Sequence, residues 1–233
     1  MYPGKYAATH PDRAAFVMAS TGESVSYAEF EARANKLTHL LQNEGLGRQD
    51  HYSIMMENNN RYLEACAAGE RAGLYYTCIN SFLTADELAY ILDNSESQIL
   101  ITSMSKLEVA IDAVSQSSKV RKVLVVDADA NELPDGFEDY ATTCQSFPAT
   151  PIDNERLGTS MLYSSGTTGR PKGIIRPLPE QPPADALPMY DFLGQLWHYR
   201  EDMIYLSPAP LYHSAPQAAV NLTIRQGGTV IIM

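Results

Sequence analysis

Twelve residues, LYSSGTTGRPKG from Leu162 to Gly173, place four Ser/Thr hydroxyls, three glycines and two cations directly after an apolar lead-in. Gly166, Gly169 and Gly173 permit positive φ and close backbone approach, so successive N–H groups can converge on one anion. Ser164, Ser165, Thr167 and Thr168 add hydroxyl donors, and Arg170 and Lys172 add positive charge. Such a loop suits a polyphosphate. It is not the P-loop of nucleotide triphosphatases, because that motif needs Gly-Lys-Ser/Thr where Pro171 stands. A solvated Ser/Gly linker has a similar composition, but a linker rarely ends in a stiff Arg-Pro-Lys-Gly directly after a strand.

A second constellation is APLYHSAP, Ala209–Pro216. Prolines on both sides stiffen a loop after a strand and aim Tyr212 and His213 toward a cleft. Taken alone, a single histidine is more often structural than catalytic, and the residues by themselves leave both roles open.

The stretch YSSGTTGRPKG resembles the signature loop of the adenylate-forming enzymes, a superfamily of acyl-CoA synthetases, peptide-synthetase adenylation domains and luciferases. VSYAEFEARANKLTHLL, RAGLYYTCINSFLTADELAYILDNSESQILI and LSPAPLYHSAP are similar, in the same order, to the superfamily's other N-terminal landmarks. The resemblance implies ATP-dependent activation of a carboxylic acid to an acyl adenylate, followed by transfer to CoA with release of AMP. It implies that Ser164, Ser165, Gly166, Thr167, Thr168, Gly169 and Lys172 hold the ATP phosphates with Mg2+, and that Tyr212 and His213 line the acyl side as a gate. Arg170 is open between a loop role and a surface residue.

Amino-acid-activating relatives place an Asp where this chain has His213. A mostly neutral imidazole is a poor partner for a buried ammonium, so a fatty or other hydrophobic acid is expected. The Pro-rich IIRPLPEQPP resembles a subset of actinobacterial-type acyl-CoA synthetases. Alternatives are a module that loads a carrier protein, a luciferase-like oxygenase, and a non-catalytic nucleotide-binding relic.

These residues need elements to hold them. The chain has 233 residues, 45% hydrophobic, enough for a sizeable core. Its net charge of −11 argues against nucleic acid or an anionic membrane as partner. No apolar run is long enough for a transmembrane segment, and no signal sequence is evident, so a cytoplasmic enzyme is expected. Cys66, Cys78 and Cys144 lack metal-ligand spacing and read as separate reduced thiols of the core or surface.

Capping boxes at Ser26/Glu29 and Thr84/Glu87 open amphipathic helices, the first running through Tyr27, Phe30, Ala34, Leu37 and Leu41 to a stop at Gly45. HYSIMM, QILITS and KVLVVDA read as strands, RYLEACAAGERAG as a closely packed helix, and residues 106–117 as another helix. Residues 127–154 read as a connecting excursion. After the loop come a helix at MYDFLGQLWHYR, a strand MIYLSPA, a helix from about Pro216 to Gln226 and a strand GTVIIM. The predicted fold class is α/β, mostly parallel sheets flanked by helices, with two subdomains at about 1–155 and 156–233.

The chain stops within an apolar strand. It is therefore expected to be the front of a longer protein, and the resemblance makes it the N-terminal portion of an adenylation domain, inactive alone. The same resemblance implies that the adenine, ribose, magnesium and catalytic-lysine residues lie elsewhere. The edge beside GTVIIM is expected to favour self-association.

Overall fold

The computed structural model describes residues 1–129, 133–164 and 170–233. A helix, α1 (Gly4–Thr9), leads into β1 (Ala14–Met18), β2 (Ser24–Ser26) and the long α2 (Tyr27–Asn43). Then follow β3 (His51–Met55), α3 (Tyr62–Ala72), β4 (Tyr75–Cys78), α4 (Ala85–Asn94), β5 (Ser97–Ser103), α5 (Leu107–Gln116) and β6 (Lys122–Val126). The remainder comprises β7 (Phe137–Asp139), α6 (Tyr140–Gln145), β8 (Thr159–Ser164), β9 (Lys172–Ile174), α7 (Pro188–Leu196), β10 (Ile204–Ser207), α8 (Ser214–Arg225) and β11 (Thr229–Ile232).

A seven-stranded sheet has the order β7-β6-β5-β3-β4-β8-β9. Its pairs are parallel, except that β9 folds back antiparallel on β8. A four-stranded sheet has the order β10-β11-β1-β2, with only β2 antiparallel. The expected α/β class with mostly parallel sheets is what the chain adopts. Each sheet takes strands from both sides of residue 155, so the sheets themselves do not mark the division expected there.

The pleat sorts the large sheet's side chains onto two helical layers. Tyr52, Ile99, Ile101 and Leu124 pack with residues of α2 and α3, while Leu100, Val123 and Val125 pack with Leu88, Leu92, Ala110 and Ala113 of α4 and α5. Both capping boxes form: the Ser26 and Thr84 hydroxyls accept from the Glu29 and Glu87 N–H groups, and each glutamate reaches back to its cap N–H. Gly45, at φ +84°, lies just past α2.

Helix α3 is buried on all sides, Glu64, Glu70 and Arg71 included. The Arg71 guanidinium pairs with Glu31 at 2.5 Å and Glu155 at 3.1 Å and donates to Asn35 Oδ1. Small residues let this layer close: a Cβ on Gly69 would lie 2.5 Å from the Tyr52 hydroxyl. A Cβ on Gly158, just before β8, would lie 2.2 Å from the Gly69 carbonyl oxygen.

Three expectations need correction. Residues 127–154 are not merely an excursion, since β7 joins the sheet and α6 buries Tyr140 and Cys144 behind an Asp139 cap. The strand at 229–232 is not an edge: β11 lies between β10 and β1, and the edges of that sheet are β10 and β2. The cysteines are not dispersed, because the Cys66 and Cys78 sulfurs meet at 3.8 Å, and all three thiols are free and buried. Among the described residues no helix is long and apolar enough to cross a membrane.

Candidate active site

Ligands of open parallel sheets bind outside the carboxyl ends of the strands. That rim holds both sequence constellations. Strand β8 carries the lead-in to Ser164, which is exposed, and β9 begins at Lys172, also exposed. The register sets Ser164 opposite Lys172. Ser165, Gly166, Thr167, Thr168 and Gly169 lie outside the described residues.

The hairpin is tied to α4 through Tyr90. Its hydroxyl donates to the Pro171 carbonyl at 3.1 Å, and the Arg170 guanidinium lies 5.0 Å from its ring centroid. Arg170 is thus an exposed residue with an aromatic seat. On the inner side, burial pushes the Tyr163 hydroxyl above its ordinary range, and that hydroxyl donates to Asn94 Oδ1 at 2.7 Å.

Tyr212 and His213 approach from the other constellation. Their rings are 4.3 Å apart at 52°, with Tyr212 half-buried and His213 exposed at the start of α8. The His213 N–H donates to the Pro210 carbonyl, which fixes the turn. The decisive brace comes from Asn58. Its Oδ1 accepts from the Leu211 N–H at 2.8 Å, and its Nδ2 donates to the Ala209 carbonyl at 3.3 Å and the Met233 carbonyl at 2.7 Å.

Asn58 lies in ENNNR, which reads in the sequence as a polar turn and helix start, and α3 does begin directly after it. Its position after a buried strand, at the end where parallel sheets bind ligands, was the available signal. Trp197 and His198 carry no comparable placement; the indole is exposed and His198 takes φ +55° just past α7.

The two constellations meet. A cavity of about 540 Å³ is lined by Ser164, Pro171 and Ile174 from the hairpin, Tyr212, His213 and Ser214 from the α8 approach, and Cys78 and Asn80 from the end of β4. Leu162 and Ser214 are shared with a second cavity of about 610 Å³. Its wall is the Pro-rich segment 176–188, which is irregular as its five prolines require. That segment is strapped down where Tyr75 donates to the Arg176 carbonyl at 2.7 Å, Arg48 to the Leu178 carbonyl at 3.2 Å and Arg225 to the Pro183 carbonyl at 2.9 Å. Tyr76, Tyr190, Gln217 and Asn221 complete a mixed polar and apolar lining.

Comparison with known proteins places the chain in a family. The AMP-binding enzyme family matches residues 5–233. A 3-oxocholest-4-en-26-oate–CoA ligase of Rhodococcus rhodochrous is 31% identical over 170 residues, covering 71% of this chain and 30% of the relative. A long-chain-fatty-acid–CoA ligase of Mycobacterium tuberculosis (strain CDC 1551 / Oshkosh) is 26% identical over 231 residues, covering 97% and 43%. The chain therefore spans less than half the length of these curated relatives.

Among solved structures, a Mycobacterium tuberculosis fatty acyl CoA synthetase matches with a TM-score of 0.77 at 22% identity, over 99% of this chain and 43% of that one. An anthranilate CoA ligase bound to anthranoyl-AMP matches with 0.82 at 18%, over 98% and 43%. These similarities establish the shared fold. With the family match running from the first helix to the last strand, the chain belongs to the AMP-binding enzyme family.

Proposed function

We propose that this chain supplies the phosphate loop and acyl gate of an acid–thiol ligase. The observation that carries the reading is the meeting of Ser164 and the Lys172 hairpin with Tyr212 and His213 around one cavity. A carboxylate attacks the α-phosphorus of ATP, the bond to the β-phosphate oxygen breaks, and an acyl adenylate and pyrophosphate form. The thiol of CoA then attacks the acyl carbon and AMP leaves.

Loop donors from 164 to 169 and the Lys172 ammonium stabilise negative charge moving onto the departing pyrophosphate. Tyr212 and His213 border the acyl carboxylate, and the neighbouring 610 Å³ cavity takes a hydrophobic tail through the shared Leu162–Ser214 boundary. A fatty or steroid acid fits this reading, in keeping with the named substrates of the relatives. Among the described residues lining the cavity beside His213 there is no carboxylate for an amino-acid ammonium.

The described residues fit a polyphosphate better than a metal ion. Among them no group of three His, Cys, Asp or Glu side chains could hold a metal. No step is therefore assigned to magnesium through them. The reading places the protein in the cytoplasm, where ATP and CoA are supplied. It assigns the adenine, ribose and catalytic-lysine contacts to residues outside this chain, leaving residues 1–233 without turnover of their own. Self-association is assigned to the open edge at β10.

The test is Lys172→Ala in the complete enzyme. Adenylation, followed by pyrophosphate exchange into ATP, should slow by roughly 10²-fold, with acid binding changed by much less. An unchanged maximal rate would remove Lys172 from the phosphate site.

A further inference from the structure

We propose that Cys66 and Cys78 form a peroxide-responsive dithiol, in which Cys78 is oxidised from the cavity and Cys66 closes the disulfide. Cys66 lies inside α3 and is fully buried; Cys78 ends β4 and forms part of the 540 Å³ cavity wall beside Tyr212 and His213. Their sulfurs are 3.8 Å apart. The cavity therefore borders the residue that carries one thiol and not the residue that carries the other.

The surroundings of Cys78 are built from donors. The Tyr62 hydroxyl and Gln217 Nε2 are buried and have no hydrogen-bond partner among the described residues. With the Cys66 thiol, 3.8 Å away, they are the polar groups that act on Cys78. Burial alone would raise the Cys78 thiol, but the three donors outweigh it and hold Cys78 below its ordinary value. Burial pushes Cys66 well above its ordinary value and keeps it protonated as a donor. The thiolate is the nucleophile, so reactivity concentrates on Cys78. Cys144 is the built-in control: buried without a partner thiol, it is pushed up to about 12.

The chemistry balances with hydrogen peroxide as oxidant. The Cys78 thiolate attacks one peroxide oxygen, the O–O bond breaks, and hydroxide leaves and is protonated, giving a sulfenic acid. The Cys66 sulfur then attacks the Cys78 sulfur, its proton accompanies the departing hydroxide as water, and the S–S bond forms. Two thiols and one peroxide give one disulfide and two waters. Reaching a bond length of about 2.05 Å from 3.8 Å needs the sulfurs to close by roughly 1.8 Å. That movement draws the Cys78 wall toward α3 and reshapes the cavity.

The experiment treats the folded chain with limiting hydrogen peroxide, alkylates the remaining thiols and maps peptides without reduction. The expected product is a Cys66–Cys78 linked pair lighter by two hydrogens, reversed by dithiothreitol, forming at least about tenfold faster than any oxidation of Cys144. Cys66→Ser should stop at a dimedone-reactive sulfenic acid on Cys78, and Cys78→Ser should leave Cys66 reduced. Oxidation of all three cysteines at one rate would overturn the proposal, as would a linked pair that forms only in denaturant. The wild-type map needs no substitution, so a variant that fails to fold does not shelter the idea.

Discussion

The layer around α3 and the elements β9, α7 and β10 place side chains against their solvent preference in opposite ways. Around α3 even the charged groups are enclosed, and each has a partner: Arg71 with Glu31 and Glu155, Glu70 with Arg225, and Glu64 with Tyr140. On the other elements large apolar side chains stand in water, among them Ile204 at 71%, Met189 at 66% and Phe192 at 61% exposure. Burial of ions is costly unless every one is paired, whereas exposed apolar groups signal a surface that awaits cover. The first region is a closed solution to packing. The second is an open one.

The comparison breaks most visibly at Gly158. Its added Cβ would meet backbone oxygens of Gly69 and Leu74 at 2.2 and 2.4 Å, and backbone cannot rotate away as a side chain can. Gly158→Ala should therefore lower stability by about 3 kcal/mol, read as a fall in the unfolding midpoint. A substitution that left the midpoint unchanged would mean that this layer is looser than its contacts indicate.

A smaller effect belongs to the cap of α4. Hydrogen bonds from the Thr84 N–H and hydroxyl hold the Glu87 carboxyl below its ordinary value. A depressed carboxyl contributes stability that is fully present above the unfolded value of about 4.3 and is lost as pH falls through the lower folded value. Glu87→Gln should cost about 0.5 kcal/mol near neutral pH and nothing once the wild-type group is protonated. Denaturant unfolding at pH 7 and at a series of falling pH values measures both; a penalty that grows in acid would contradict the assignment.

At the exposed edge strand a substitution should leave stability nearly unchanged. β10 is an edge strand with Ile204 71% and Leu206 54% exposed. Unpaired edges of this kind recruit further strands, and a lysine blocks that pairing. Ile204→Lys should change stability by no more than about 0.5 kcal/mol while shifting sedimentation toward the monomer. Equal sedimentation of the two forms would place any self-association elsewhere.

The two regions also differ in how far their sequence disclosed them. The capping boxes at Ser26 and Thr84 and the small-residue run of α3 were legible because cap chemistry and periodicity act locally. β7 and β9, of three residues each, were not, since strands that short leave no pattern and are decided by the neighbour they pair with. The β11 edge was misjudged for the same reason: an apolar terminal run identifies a strand and not which strands flank it. At the site, Tyr212 and His213 stood out through their prolines, and the hairpin through its glycines and cations. Asn58 did not, because its partners are carbonyl and N–H groups more than 150 residues away, as with Leu211.

The parallel pairing of β1 with β11 has a consequence for the order in which the chain can be built. Phe16 waits for Val230, and the Thr229 hydroxyl reaches the Ala14 carbonyl across 215 residues. On the ribosome the first strand therefore has only its antiparallel neighbour β2 until residues 229–232 have emerged. Closing so long a loop is slow, and exposed strand edges are vulnerable in the interval. At roughly 5–20 residues per second that interval lasts on the order of ten seconds or more. The small sheet is thus the part of this fold most dependent on a chaperone's holding time, and the large sheet, whose β3–β6 pairings are local, can be set before it.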